Sequence, residues 1–168
     1  MGFFSRPDAD ATASGLAPLS HQRIIERLEA QGFTYGVDDD GDIGGRWDDH
    51  AFYFFLLGRD SEYLQVRGRW SREVGPNEID ALTAEVNAWN LDKLWPKVYV
   101  RDEGDRVGVY SEHTVDYEHG VSDGQLELHM ACGISTALQF FAHLDSLYPQ
   151  AVAESRAQLA GQATTPSA

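Results

Sequence analysis

The chain has 168 residues, of which 42% are apolar, 24% charged and 11% aromatic. That balance suits one ordinary globular domain and excludes a disordered, collagen-like or membrane-spanning polypeptide. Its 13 Lys and Arg stand against 27 Asp and Glu, a net charge of −14, which argues against non-specific nucleic-acid binding and a membrane-surface role, since both depend on basic side chains displacing counterions.

Residues 1 to 18 and 150 to 168 are rich in small and polar residues without periodicity and read as flexible tails, although 151 to 160 could prolong a helix. The domain is expected over 19 to 149. Ser20 can cap a short helix with Ile24, Ile25 and Leu28 as its apolar stripe, and Gly32 offers the left-handed stop. Phe33 to Val37 and Asp42 to Trp47 then form a hairpin about Asp38-Asp39-Asp40-Gly41. Ala51 to Leu57 is apolar on both alternating faces, which predicts a central strand covered on both sides. Tyr63 to Trp70 puts Leu64, Val66, Gly68 and Trp70 on one face and Gln65, Arg67 and Arg69 on the other.

Gly75-Pro76 opens a helix with Ile79, Leu82, Val86 and Trp89 at helical spacing, and Trp95-Pro96 prevents its continuation. Lys97 to Arg101 and Arg106 to Tyr117 form a second hairpin about Glu103-Gly104-Asp105. Ser122 and Gln125 make a capping-box pattern for a last helix that can run to Tyr148, before Pro149. Its Gly133, Ser135 and Thr136 permit close approach of another element. This order predicts an α+β domain, a mainly antiparallel sheet with helices packed on one face.

Chemistry is sparse. The Asp38 to Asp42 acidic turn fails the spacing of a calcium hand, because Gly36 and Trp47 fall where ligands belong. His113, Asp116, His119 and Asp123 lie close in sequence, but an extended strand sends His113 and Asp116 to opposite faces, and no His-x-x-x-His helix pair exists. There is no nucleophile elbow, P-loop or dinucleotide fingerprint. The single Cys132 can form neither an internal disulfide nor a thiolate cage and reads as a small buried residue. Together with an N-terminus that lacks the apolar run of a signal peptide, it points to the cytoplasm. Between Arg106 and Arg156 there is no Lys or Arg, and seven carboxylates make that stretch an anionic block, read as a solubility device or as a face for a basic partner.

What remains for recognition is Trp and Arg: Arg46 with Trp47, and Arg67, Arg69 and Arg72 around Trp70. By alternation Trp70 belongs to the core, so the partner-binding candidates are Arg46, Arg67, Arg69, Arg72 and Trp47. Arg67→Glu with Arg69→Glu is expected to weaken partner capture with little loss of stability.

The runs Asp39-Asp40-Gly41-Asp42-Ile43-Gly44-Gly45-Arg46-Trp47, Leu64-Gln65-Val66-Arg67-Gly68-Arg69-Trp70, Asn87-Ala88-Trp89-Asn90 with Trp95-Pro96-Lys97, and Glu118-His119-Gly120-Val121-Ser122 resemble, in order and spacing, the actinobacterial form of the YbjN-domain family. The resemblance covers about residues 20 to 149. It implies a fold similar to type III secretion chaperones, α-β-β-β-α-β-β-α, often dimeric and binding extended segments of partner proteins, with a family label of sensory-transduction or stress regulator. It carries no catalytic residue to this chain. The expected function is therefore a non-enzymatic, cytoplasmic, chaperone-like or regulatory homodimer that binds another polypeptide, with no cofactor and no metal ligand assigned; the alternative is a small-ligand or metal-sensing module built on the His and acidic residues of 112 to 129.

Overall fold

Ser20 has extended backbone and its hydroxyl accepts the N–H of Arg23, which starts helix α1 (His21–Ala30). In this computed structural model, which describes residues 15–163, α1 buries Ile24 and Leu28 and stops where Gly32 takes a φ of +72°. Strands β1 (Tyr35–Val37) and β2 (Ile43–Trp47) follow. The Asp38 carboxylate accepts the N–H groups of Asp40 and Asp42, so the acidic turn between them uses that carboxylate to hold its own backbone. Next come β3 (His50–Leu57) and β4 (Tyr63–Arg69), a 3₁₀ turn at Pro76–Glu78, α2 (Ile79–Asp92), β5 (Lys97–Asp102), β6 (Val107–Asp116), α3 (Asp123–Leu147) and α4 (Pro149–Ala163). Ser122 and Gln125 form the expected reciprocal capping box at the start of α3.

The six strands lie in the order β1-β2-β3-β4-β6-β5, with every neighbouring pair antiparallel. This is the α+β class expected, with four strands before α2 where the family pattern implies three. One core joins Phe52, Phe54, Leu64, Val66, Trp70, Val98 and Val109 of the strands to Ile24, Leu28, Leu82, Val86, Met130, Phe140, Phe141 and Leu144 of the helices. Helix α3 lies close on β4. A Cβ on Gly133 would stand 2.7 Å from Val66 Cβ, and one on Gly68 would stand 2.7 Å from a Phe52 ring carbon and 3.1 Å from Phe141. Two missing side chains let the helix lie directly on the strand. Asp145 then fastens its far end: it accepts from the indole N–H of buried Trp70 (2.7 Å) and from two nitrogens of the Arg72 guanidinium (3.2 and 3.0 Å).

Two expectations are corrected. β3 is central, but only one of its faces is covered: Phe52 and Phe54 are buried, while Tyr53 and Leu57 on the other face remain exposed. The described helices contribute their buried residues to the core on the Phe52 side. The second concerns 150 to 168, expected as a flexible tail in which 151 to 160 could prolong a helix: the chain is helical over Pro149–Ala163, and 164–168 lie outside the described residues. Ala151 is buried against the core, and the Ser155 hydroxyl donates to the Ser71 carbonyl and accepts from Arg72, which gives this polar helix a reason to dock. Of the tail expected over 1 to 18, residues 1–14 lie outside the described residues. Ala17 already belongs to the domain, exchanging backbone hydrogen bonds with Val121 (3.2 and 2.9 Å).

Gly133→Val should destabilise the fold by about 2 kcal/mol, since Val66 Cβ is fixed to its strand and overpacking forces the helix to shift; urea denaturation measures it, and an unchanged midpoint would contradict the seam. A second prediction concerns acid. His50 is buried, and its Nδ1 accepts the Ser71 N–H at 3.0 Å, which requires a neutral ring. Burial first, and then the Arg72 charge, push its pKa from 6.5 down to about 4. The unfolded chain therefore binds this proton first, so the stability it represents is complete above pH 6.5 and is lost as pH falls towards 4. That loss should be on the order of 3 kcal/mol, with buried His113 acting in the same direction. His50→Gln should flatten the stability–pH slope in this window, as equilibrium denaturation across pH 4 to 7 can show.

Candidate functional site: the open face of the sheet

Strand alternation sends every second side chain away from the helices, and the register aligns those side chains in rows. One row runs Tyr53, Arg67, Glu112, Lys97 across β3, β4, β6 and β5; the next runs Arg46, Ala51, Arg69, Tyr110, Tyr99. Aromatic rings pair within this face. Tyr53 and Phe55 stack at 5.7 Å, and Tyr99 and Tyr110 at 5.5 Å. Cations lie over the rings: Arg67 at 4.8 Å from the Phe55 centroid, Lys97 at 5.0 Å from Tyr99, and Arg101 at 5.7 and 5.6 Å from Tyr99 and Tyr110.

Two carboxylates knit the face together. Glu112 accepts from Tyr99 (2.6 Å) and Lys97 (2.9 Å), with Arg67 at 3.1 Å. Glu103 accepts from the Tyr110 hydroxyl (2.5 Å), Arg69 (2.9 Å) and Arg106 (3.0 Å). It reaches them across Gly108, where a Cβ would collide with the Glu103 carboxylate. Burial raises the Glu103 pKa, but the hydrogen bonds from Tyr110, Arg69 and Arg106 outweigh it and hold the acid at about 2. Burial, followed by the bond to Glu112, pushes Tyr99 up to about 12. These groups keep fixed protonation near neutral pH, which suits recognition and leaves neither of them poised to exchange a proton in a reaction.

Of the five residues expected to bind a partner, three are on this face. Arg46 is exposed, donating to the Asp49 carbonyl at 2.8 Å, and Arg67 and Arg69 are half-buried in the network above. Arg72 and Trp47 are not. Arg72 shares the parity of Trp70 and turns to the helices, where it is buried on Asp145. Trp47 shares the parity of Ile43 and packs edge-on against Phe33, Phe52 and Phe54. Tyr53, Phe55, Tyr63, Lys97, Tyr99, Arg101 and Tyr110 are the face residues that sequence reasoning passed over. The signal for the first two was the second apolar side of Ala51 to Leu57.

The His and acidic segment does not assemble as the alternative reading needs. His113 is buried beneath the Trp95 ring (5.8 Å) and 6.0 Å from His129, which stacks on Tyr117 and shares a hydrogen bond with its hydroxyl. Asp123 instead pairs with Arg23 (2.6 Å), Asp116 accepts the Glu118 N–H (2.8 Å), and His119 is exposed. Among the described residues no group of three or more His, Cys, Asp or Glu could hold a metal ion, and no helix is long and apolar enough to cross a membrane.

The model of a family described as "Putative bacterial sensory transduction regulator", YbjN, matches residues 20–146. The chain belongs to the YbjN family. No curated protein matches the sequence significantly. Among solved structures, this YbjN domain is similar to YbjN of E. coli, with a TM-score of 0.67 at 11% identity over 78% of this chain and 95% of that one. It is also similar to an uncharacterized protein of Methanothermobacter thermautotrophicus, with a TM-score of 0.52 at 14% identity over 77% and 99%. Both likenesses speak for the fold alone. A chaperone–effector complex, HopA1–SchA, matches at a TM-score of 0.45 and 15% identity over 74% of this chain and 99% of that one, too distantly to carry an argument.

The network changes what charge reversal should do. Arg67 is paired with Glu112, whose side chain is only 10% exposed, so Arg67→Glu with Arg69→Glu sets acid against acid in a half-buried site. We expect a loss of about 3 kcal/mol instead of the small effect expected from sequence. Urea denaturation decides; a loss below about 1 kcal/mol would place these pairs with ordinary surface ion pairs.

Proposed function

We propose that this YbjN protein is a non-enzymatic regulatory module of the bacterial cytoplasm that binds another polypeptide across the open face of its sheet and works as a homodimer. The observation that carries the reading is that face: a broad, rigid strand platform with stacked rings and fixed charges, which none of the chain's described helices covers. Aromatic rings bring large contact area at little entropic cost, and arginine forks hold carboxylates and backbone carbonyls, which is the composition of protein-recognition surfaces. The family description, a sensory-transduction regulator, is consistent with a protein that acts by binding.

The dimer draws support from a separate place, the connection between α2 and β5. There Leu91, Leu94 and Trp95 stand 91%, 87% and 53% exposed, a concentration of large apolar side chains that a second copy would remove from water. Sedimentation at micromolar concentration tests it, and a strictly monomeric species would overturn that half of the reading.

For the polypeptide-binding half, the exposed Tyr53 and Tyr63 are the clean positions. Tyr53→Ser with Tyr63→Ser should leave the thermal midpoint nearly unchanged while removing a protein that the unaltered chain captures from native lysate. Capture that survives both substitutions would show that the open face is not the contact.

A further inference from the structure

We infer that the segment held on the open face is an acidic one: an extended stretch of polypeptide in which Asp and Glu alternate with aromatic or aliphatic side chains. This rests on the reading of the face as a polypeptide-binding surface and adds the chemical class of its partner. The basis is a segregation of charge. The whole chain carries −14, yet on and beside this face six cations, Arg46, Arg67, Arg69, Lys97, Arg101 and Arg106, meet two central carboxylates, Glu103 and Glu112. Each carboxylate is shared between two of those cations; Glu112 leaves Arg67 and Lys97 half compensated, while the pair of Arg69 and Arg106 has a second carboxylate beside Glu103. Glu73 takes a share of Arg106. Arg101 has ring faces beside it and no carboxylate partner among the described residues, and Arg46 is held by a backbone carbonyl.

Five of the cations stand on β2, β4 and β5 and Arg106 in the turn between β5 and β6, on both sides of the stacked rings of β3 and of β5 with β6. A strand laid on this platform would place carboxylates against the guanidinium forks and its apolar side chains on Tyr53, Phe55, Tyr99 and Tyr110. The face also carries carboxylates outside its centre: Asp42, with Asp38 and Asp40 beside it, interacts with Arg67 on the β2 side, and Asp116 and Glu62 raise the Tyr63 pKa at the Tyr63 end.

The same charges disfavour the other occupants. A second copy placed face to face would oppose cation to cation about the two-fold axis. A nucleic acid would meet two immovable carboxylates in the middle of its track and the long-range repulsion of a strongly acidic molecule. The sheet edge at β5 is also partly closed: the Asn90 amide accepts the Val98 N–H (3.0 Å) and donates to the Val98 carbonyl (2.8 Å), occupying the backbone groups that an added strand would need there.

Fluorescence anisotropy with the full chain tests the inference. The probes are a labelled peptide of about 14 residues composed of Asp, Glu, Phe and Ser, its counterpart with Lys at every acidic position, and oligothymidine of the same length. The acidic peptide should bind, weaken about fivefold or more between 50 and 300 mM salt, and weaken about tenfold or more in Arg46→Glu with Arg101→Glu, two exposed positions outside the buried pairs. The Lys peptide and oligothymidine should bind at least tenfold more weakly. The inference is overturned if the acidic peptide does not bind up to millimolar concentration, if either other probe binds as tightly, or if the charge variant binds the acidic peptide unchanged. Binding of the Lys peptide that is abolished by Tyr53→Ser with Tyr63→Ser would refute the acidic class and leave the open face standing as a polypeptide site.

Discussion

The contact on which the architecture depends is the direct seating of α3 on β4. Gly133 and Gly68 remove the side chains that would hold helix and strand apart, so Val66 and Phe141 pack into the space, and Asp145 ties Trp70 and Arg72 to the helix at its C-terminal end. A buried guanidinium needs this anion, because an unpaired charge there would cost several kcal/mol. The seam therefore selects both position and direction for α3. With α3 in place, α1 packs against it and α2 lies along β5, and one face of the sheet is filled.

The other face follows by subtraction. Six antiparallel strands offer two surfaces, and the described helices are used on one. The chain does not leave the second surface as an ordinary polar exterior; it places stacked aromatic pairs there and braces them with arginines and two shared carboxylates. Such a network is stiff at its centre, since Tyr99, Tyr110, Arg67 and Arg69 are each held from more than one side. Stiffness lowers the entropy lost on binding, and the groups keep their charges through the neutral range. A surface of this kind discriminates by shape and by sign of charge.

Much of this architecture was legible in the one-dimensional pattern. Ser20, Gly32 and the Ser122–Gln125 capping box mark helix ends through local hydrogen bonds and local φ angles, which depend on a few neighbouring residues only. The alternation of 63 to 70 correctly separated Trp70 from Arg67 and Arg69. The same parity rule, carried two residues further, would have sent Arg72 inward with Trp70, and applied to β2 it would have put Trp47 with Ile43. Both residues were misplaced because their chemistry was weighed before their phase. The helical character of 149–163 was weak in the sequence because a polar, Ala-rich stretch acquires its docking surface only from Ala151 and Ser155 meeting residues far away in the chain.

By itself the sequence determined the class of fold, the order of its elements, the turns that join them and the family, because periodicity, capping and glycine conformation act over a few residues. It also showed that β3 was apolar on both sides. Which of those sides the chain would cover was decided only in three dimensions. Covering a sheet face is a contest among helices that approach from distant points of the sequence, and it was settled by how closely Gly133 lets α3 reach Val66. The pairing of Glu103 with Arg69 and of Glu112 with Arg67 and Lys97 was likewise invisible in one dimension, since strand register alone brings those charges together.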